Sequence, residues 1–170
     1  MTHSSTFATF APPVMEARRW LEGVSFGAQR PLINVSQAAP VEPPHPDLRA
    51  AIAEAALHDD AAHLYGPVLG LPELRDEVAA LVSRTYGGAV TADHVAITSG
   101  CNQAFAATIA SLCGAGDEVI LPTPWYFNHK MWLDMSSVRA VPLPTRQGMI
   151  PDAGEAETLI TARTRAIVLV

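Results

Sequence analysis

Ser99, Gly100, Cys101 and Asn102 are the residues best placed to do chemistry: in "VAITSGCNQAF" they stand between a short apolar run and a segment with helical apolar spacing. The first backbone N–H groups of a helix have no internal partner and the macrodipole there is positive, so an anion seated at that end gains several hydrogen bonds at once. Gly100 allows close backbone approach, Ser99 adds a hydroxyl, and Cys101 and Asn102 offer amides. The chemistry is phosphate binding, each charged hydrogen bond contributing roughly 1.5–3 kcal/mol. The same residues also describe an ordinary strand-to-helix turn with Ser99 as N-cap.

The elements that position this turn are legible as a change of rhythm. The opening "MTHSSTFATFAPP" reads as a polar arm, followed by a short helix around Met15 to Leu21. The proline-dense "PLINVSQAAPVEPPHP" reads as a crossing loop with one short strand at Leu32 to Val35, in which Asn34, Ser36 and Gln37 can be turn formers. A helix is expected after Pro46 and Asp47, with Leu48, Ile52, Ala55 and Ala56 on one face. A second carries Leu71, Leu74, Val78, Leu81 and Val82 and stops near "YGG". From Thr91 onward "VAIT", "EVIL", "VRAVPL" and "RAIVLV" read as strands, and Gln103 to Leu112 and Pro151 to Thr161 as helices. Strands alternating with helices predict an α/β fold with a mainly parallel sheet covered on both faces.

Composition narrows the function classes. The 170 residues are 49% hydrophobic and 16% charged, enough apolar material for a substantial core. The net charge is −6 with lysine and arginine scattered, which gives no footprint for nucleic acid or an anionic membrane. Cys101 and Cys113 fall on different helix faces, so no bridge is expected and a cytoplasmic setting fits. No run is long and apolar enough to span a bilayer, and residues 1–13 lack a signal-peptide pattern. The spacing of His58 and His63 does not place both imidazoles on one helix face, so no metal site is expected. Neither G-x-S-x-G around Ser99 nor G-x-G-x-x-G after the first strand is present, which sets aside a serine hydrolase and a dinucleotide site.

Three linked motifs carry a resemblance: "YGPVLGLPELRDEVA" at Tyr65 to Ala79, "ITSGCNQAF" at Ile97 to Phe105, and "GDEVILPTPWYFNH" at Gly116 to His129. In order and spacing the chain resembles the first half of the class I and II aminotransferases, enzymes of fold type I that use pyridoxal 5'-phosphate. The resemblance implies that Ser99, Gly100 and Cys101 hold the cofactor phosphate and that Tyr126 stacks on the pyridine ring. Trp125 is the rival by adjacency and reads as core packing, while Asn128 and His129 read as helix-capping or packing residues. It further implies a homodimer in which Tyr65 reaches the partner subunit's phosphate; taken by itself, Tyr65 could equally pack under the Gly66–Pro67 turn. Near Ala38 the family has a glycine whose amide meets the substrate carboxylate. Cysteine at position 101 and alanine at 38 are departures that leave the amide of the first and the substrate role of the second as what can be carried over.

On this resemblance, residues 1–45 are the arm and crossing segment on the small-domain side and 46–170 the first half of the cofactor-binding large domain. Lys130 is the single lysine; it reads as a solvated helix residue, and its position is not that of the Schiff-base lysine in the family. That lysine, the aspartate for the pyridine nitrogen and the carboxylate-binding arginine are expected beyond Val170. The chain reads as the N-terminal part of a longer enzyme, or as one needing a complementing chain, inactive alone. In that architecture the first strand, His94 to Thr98, pairs with a later strand. The activity implied is amino-group transfer between an amino acid and a 2-oxo acid, with donor and acceptor unspecified. The alternatives are a carbon–sulfur lyase on the same fold and a non-catalytic cofactor-binding regulatory module.

Overall fold

In a computed structural model of the chain, which describes residue 6 and residues 9–37 and 39–170, the run "EVILPT" forms the central strand β1 (Glu118–Thr123). Val119 and Ile120 are 0% exposed and Leu121 1%, so successive side chains on opposite faces are all buried, which is why the run is apolar without alternation. Strands β2 (Arg139–Pro144) and β3 (Thr164–Ile167) flank β1, both parallel to it, in the order β2-β1-β3. One face packs Val119, Leu121 and Val138 against Ile109 of helix α4 (Cys101–Leu112) and Leu133 of helix α5 (Phe127–Met135). On the other, Ile120, Val141 and Leu143 meet Ala156 of helix α6 (Ala153–Thr158). The "EVIL", "VRAVPL" and "RAIVLV" runs are neighbours in one parallel sheet, as expected.

The sheet's N-terminal edge is tied by one buried carboxylate. Glu118 accepts from Thr161 Oγ1 at 2.7 Å, Arg163 Nη2 at 2.9 Å and Arg139 Nη1 at 3.2 Å. The Thr161 hydroxyl, then the Arg163 guanidinium, hold the Glu118 carboxyl below the usual range against the opposing effect of burial. This end of the sheet is therefore satisfied internally.

The chain divides into two compact units, one formed by Met1–Ile33 with Ser99–Val170 and the other by Asn34–Thr98. The first also contains helix α1 (Pro13–Arg19). The second contains helices α2 (Pro46–His58) and α3 (Pro72–Tyr86), the latter ended by Gly87 at φ 70°. Arg75 on α3 donates from Nε to the Val95 carbonyl at 2.9 Å and from Nη2 to the Ala92 carbonyl at 2.7 Å, pinning the chain that follows the helix. His58 faces Glu54 at 3.9 Å and His63 Nε2 lies 2.9 Å from the Ala56 carbonyl. Among the described residues no cluster could hold a metal ion and no helix is long and apolar enough to cross a membrane.

Three expected elements differ. Leu32–Val35 is not a strand: the Asn34 side chain accepts from the Ser36 N–H at 3.0 Å and the Ser36 hydroxyl at 2.7 Å, a local turn that competes with a ladder. His94–Thr98 begins in a 3-10 turn (Ala92–His94), and the rest joins no sheet among the described residues; its Ile97 N–H is taken by the Leu69 carbonyl at 2.9 Å. The last helix is shorter than Pro151 to Thr161. Asp152 caps its start by accepting from the Glu155 N–H at 3.0 Å, and Thr161 and Thr164 form a turn of their own after it. Ala38 and most of the N-terminal arm lie outside the described residues.

Candidate functional site

Gly100, not Ser99, occupies the N-cap of α4, so the ordinary-turn reading of Ser99 as N-cap is corrected. The Ser99 N–H donates to Gln103 Oε1 at 2.5 Å, so the side chain three residues into the helix reaches back to fix the turn. Gly100 adopts φ 94°, a conformation that disfavours any residue with a Cβ, and the space its Cβ would fill is open. Ser99, Gly100, Cys101 and Asn102 are all exposed, no side chain caps the first turn, and no acidic residue stands in it. The positive end of a helix 12 residues long is thus presented without a competing carboxylate.

The start of α5 stands beside the start of α4. Tyr126 is the N-cap residue of α5, half-buried at the C-terminal end of β1, where it lines a small cavity with Leu121, Trp125, His129 and Thr145. Asn128 Nδ2 donates to the Tyr126 hydroxyl at 2.7 Å and to Asn102 Oδ1 at 3.4 Å. The Phe105 and His129 rings stack with centroids 3.9 Å apart at 20°, and Tyr126 meets His129 edge-on at 5.0 Å and 87°. Trp125 packs against the core face that holds Leu133 and Ile109, in line with its reading as core. Asn128 and His129 pack between the two helices, as expected. Their joint contact with Tyr126 was not legible, because it depends on the separation of α4 and α5; the only signals were the i+2 spacing from Tyr126 and the helical i+3 spacing of Asn102 and Phe105.

Burial lowers the His129 imidazole pKa, and its Nδ1 is buried without a hydrogen-bond partner. Lys130 departs from the expectation of a solvated helix residue: its amine lies 2.5 Å from both carboxylate oxygens of Asp134 and 5.6 Å from the Trp125 ring centroid, with its side chain 20% exposed. An ammonium held in this way is a structural charge, not a nucleophile waiting for a carbonyl. Cys101 and Cys113 are both free; burial first, then the Asp117 charge, pushes the Cys113 thiol up. Tyr65, in the Asn34–Thr98 unit, is fully exposed, which excludes its packing under the Gly66–Pro67 turn. In the same unit, Gly70 at φ 98° has a role that sequence reasoning missed: a Cβ there would come within 2.6 Å of Ile97 Cγ1.

Residues 30–170 match the protein family described as aminotransferase class I and II. The chain is 36% identical over 128 residues to an arginine–pyruvate transaminase of Pseudomonas aeruginosa, covering 72% of this chain and 32% of that protein. It is 32% identical over 119 residues to an aspartate aminotransferase of Pyrococcus horikoshii, covering 69% and 30% respectively. A solved aspartate aminotransferase of Thermus thermophilus, a single mutant, aligns with a TM-score of 0.75 at 27% identity over 99% of this chain and 42% of that one. The aspartate aminotransferase of Rhizobium meliloti shares the fold at a TM-score of 0.84 and 21% identity, over 98% and 42%. The chain spans about a third of the length of the curated relatives it matches.

Proposed function

Because the chain belongs to the class I and II aminotransferase family, we propose that it binds pyridoxal 5'-phosphate and serves amino-group transfer between an amino acid and a 2-oxo acid. The residues present fit that cofactor. The observation that carries the reading is the uncapped, carboxylate-free start of α4 behind Gly100 at φ 94°, with Tyr126 bound through Asn128 to Asn102 in the same turn. When bound, the cofactor supplies an electron sink for the carbon that exchanges its amino group.

In this reading the amides of Gly100 and Cys101 and the Ser99 hydroxyl hold the phosphate, and Cys101 contributes its backbone, not its thiol. Tyr126 lies on the pyridine ring and keeps its plane still, worth roughly 0.5–1.5 kcal/mol beyond the area buried. Trp125 and the ion-paired Lys130 support the wall behind it. Lys130 is not the lysine that bonds the cofactor, since both Asp134 oxygens hold its amine. Residues 46–170 belong to the cofactor-binding side and 1–45 to the crossing segment, with Ala38 near the substrate carboxylate.

The active form is a homodimer in which Tyr65 serves the phosphate of the partner subunit. Its full exposure, together with the exposed Leu48, Ile52 and Leu64 of the same unit, supports an apolar surface that a second copy covers. The free thiols fit a reducing cytoplasm.

The test follows the full-length protein with pyridoxal 5'-phosphate, an amino donor and a 2-oxo acceptor. Amino-acid product should form in equal amount to the 2-oxo acid derived from the donor, and only when both substrates are present. Sulfide release without an acceptor would point to a carbon–sulfur lyase instead, and cofactor binding without turnover of any donor to a regulatory module.

A further inference from the structure

A ligand held at two points, a phosphate at one end and a ring at the other, is oriented only as well as those two points are fixed relative to each other. Here they lie on different elements: Cys101 opens α4, and Tyr126 stands at the head of α5. The Asn128 side chain spans the gap. Asn128 donates to the Tyr126 hydroxyl at 2.7 Å and to Asn102 Oδ1, beside Cys101, at 3.4 Å. The edge-on contact of Tyr126 with His129, itself stacked on Phe105 of α4, restrains the ring from a second direction.

We propose that Asn128 is a positioning residue that locks the Tyr126 ring to the first turn of α4, so that the phosphate seat and the ring platform form one rigid unit. The proposal rests on the cofactor reading above. Its chemistry is that of the amide donor: both contacts use the same –NH2 group, and the Tyr126 oxygen acts as acceptor, which leaves its own O–H free to donate elsewhere. A leucine of similar volume has neither donor nor acceptor, whereas an aspartate would accept from the Tyr126 hydroxyl and restore the bond in the opposite direction. Asn128→Leu therefore tests the hydrogen bond with little change in volume, and Asn128→Ala tests loss of the side chain. Functional groups must be held within roughly 0.5 Å of their productive geometry, and the Asn128 bond fixes the hydroxyl end of the ring, which the edge contact with His129 does not hold.

The experiment is a double-mutant cycle in the full-length protein on Tyr126→Phe, Asn128→Ala and the pair, with Asn128→Leu as a second probe. It reads pyridoxal 5'-phosphate affinity by absorbance titration and the circular dichroism induced in the bound cofactor. The expected result is that Asn128→Ala and Asn128→Leu each weaken affinity about tenfold, the span of one hydrogen bond, and diminish the induced signal. With Tyr126→Phe already present, Asn128→Ala should change neither. An Asn128 that merely supports the helix would lower the melting temperature while leaving affinity and dichroism untouched, or would act equally with and without the Tyr126 hydroxyl; either outcome overturns the proposal. If Tyr126→Ala leaves cofactor affinity unchanged, the ring-platform reading fails and this inference with it. A Tyr126-dependent affinity without coupling to Asn128 overturns the inference alone.

Discussion

Phe105 and His129 lie ring on ring, 3.9 Å between centroids and 20° from parallel, and this contact joins α4 to α5 beside the residues assigned to the cofactor. Burial lowers the His129 pKa below its ordinary value near ~6.5. The unfolded chain therefore binds a proton at a pH where the folded chain does not, and the stability contributed by neutral His129 is present above about pH 6.5 and lost as pH falls through the folded pKa. Wild-type protein should melt at progressively lower temperature on acidification through this window. His129→Phe, which keeps a stacking ring, should lose less over the same range; parallel curves for the two proteins would contradict the assignment.

Gly70 is the most closely approached glycine of the Asn34–Thr98 unit, with φ 98° and a would-be Cβ 2.6 Å from Ile97 Cγ1 and 2.7 Å from Ile97 Cβ. Gly70→Ala should destabilise by about 1–3 kcal/mol, from the disfavoured backbone region together with the clash. Adding Ile97→Ala should relieve the clash with Cγ1 while leaving the backbone strain, so recovery is partial. Denaturant midpoints of the three proteins measure this directly. Full stability of the single variant would show that the approach is not tight.

Tyr126 and Trp125 are adjacent but do different work. Trp125→Ala should chiefly cost stability, about 3–5 kcal/mol if the site cannot collapse, because the indole packs against the face that holds Leu133. Tyr126→Ala should chiefly weaken cofactor affinity and alter its circular dichroism. The reverse pattern would put the stacking register one residue earlier.

How far the sequence carried can be seen at particular residues. Strands β1 and β2 were legible because their apolar content is itself the cause of their burial: Val119, Ile120 and Leu121 must be covered on both faces whatever the loops do, whereas α2 was legible from its helical spacing although Leu48 and Ile52 stay exposed. Leu32–Val35 was not, because the Asn34 side chain offers the backbone a local turn that competes with pairing. The turn before α4 was legible in place but not in register: Gly100 stands at the N-cap where Ser99 was expected, and Gln103 reaches back to the Ser99 amide. Lys130 read as solvated because sequence gives helical spacing to Asp134 but not the nearby Trp125 face. The Asn128 bridge was invisible, as it depends on the distance between two helices.

Tyr65 is fully exposed on its unit, consistent with a hydroxyl that serves another subunit. The prediction is complementation. Full-length Tyr65→Ala and a full-length variant lacking the lysine that bonds the cofactor should each be inactive, and activity should reappear when the two are mixed under conditions that exchange subunits, because one site of the heterodimer then has both groups. No recovery after verified exchange would mean that Tyr65 serves its own chain.

The central claim, that the Ser99–Gly100–Cys101 turn holds the cofactor phosphate, is tested most directly by titrating pyridoxal 5'-phosphate into full-length Gly100→Val protein whose fold is verified by circular dichroism. A branched side chain at φ 94° fills the space through which the phosphate approaches the first amides of α4. Since each such hydrogen bond contributes roughly 1.5–3 kcal/mol, the dissociation constant should rise by more than about tenfold. A folded Gly100→Val protein that binds the cofactor with wild-type affinity would contradict the assignment.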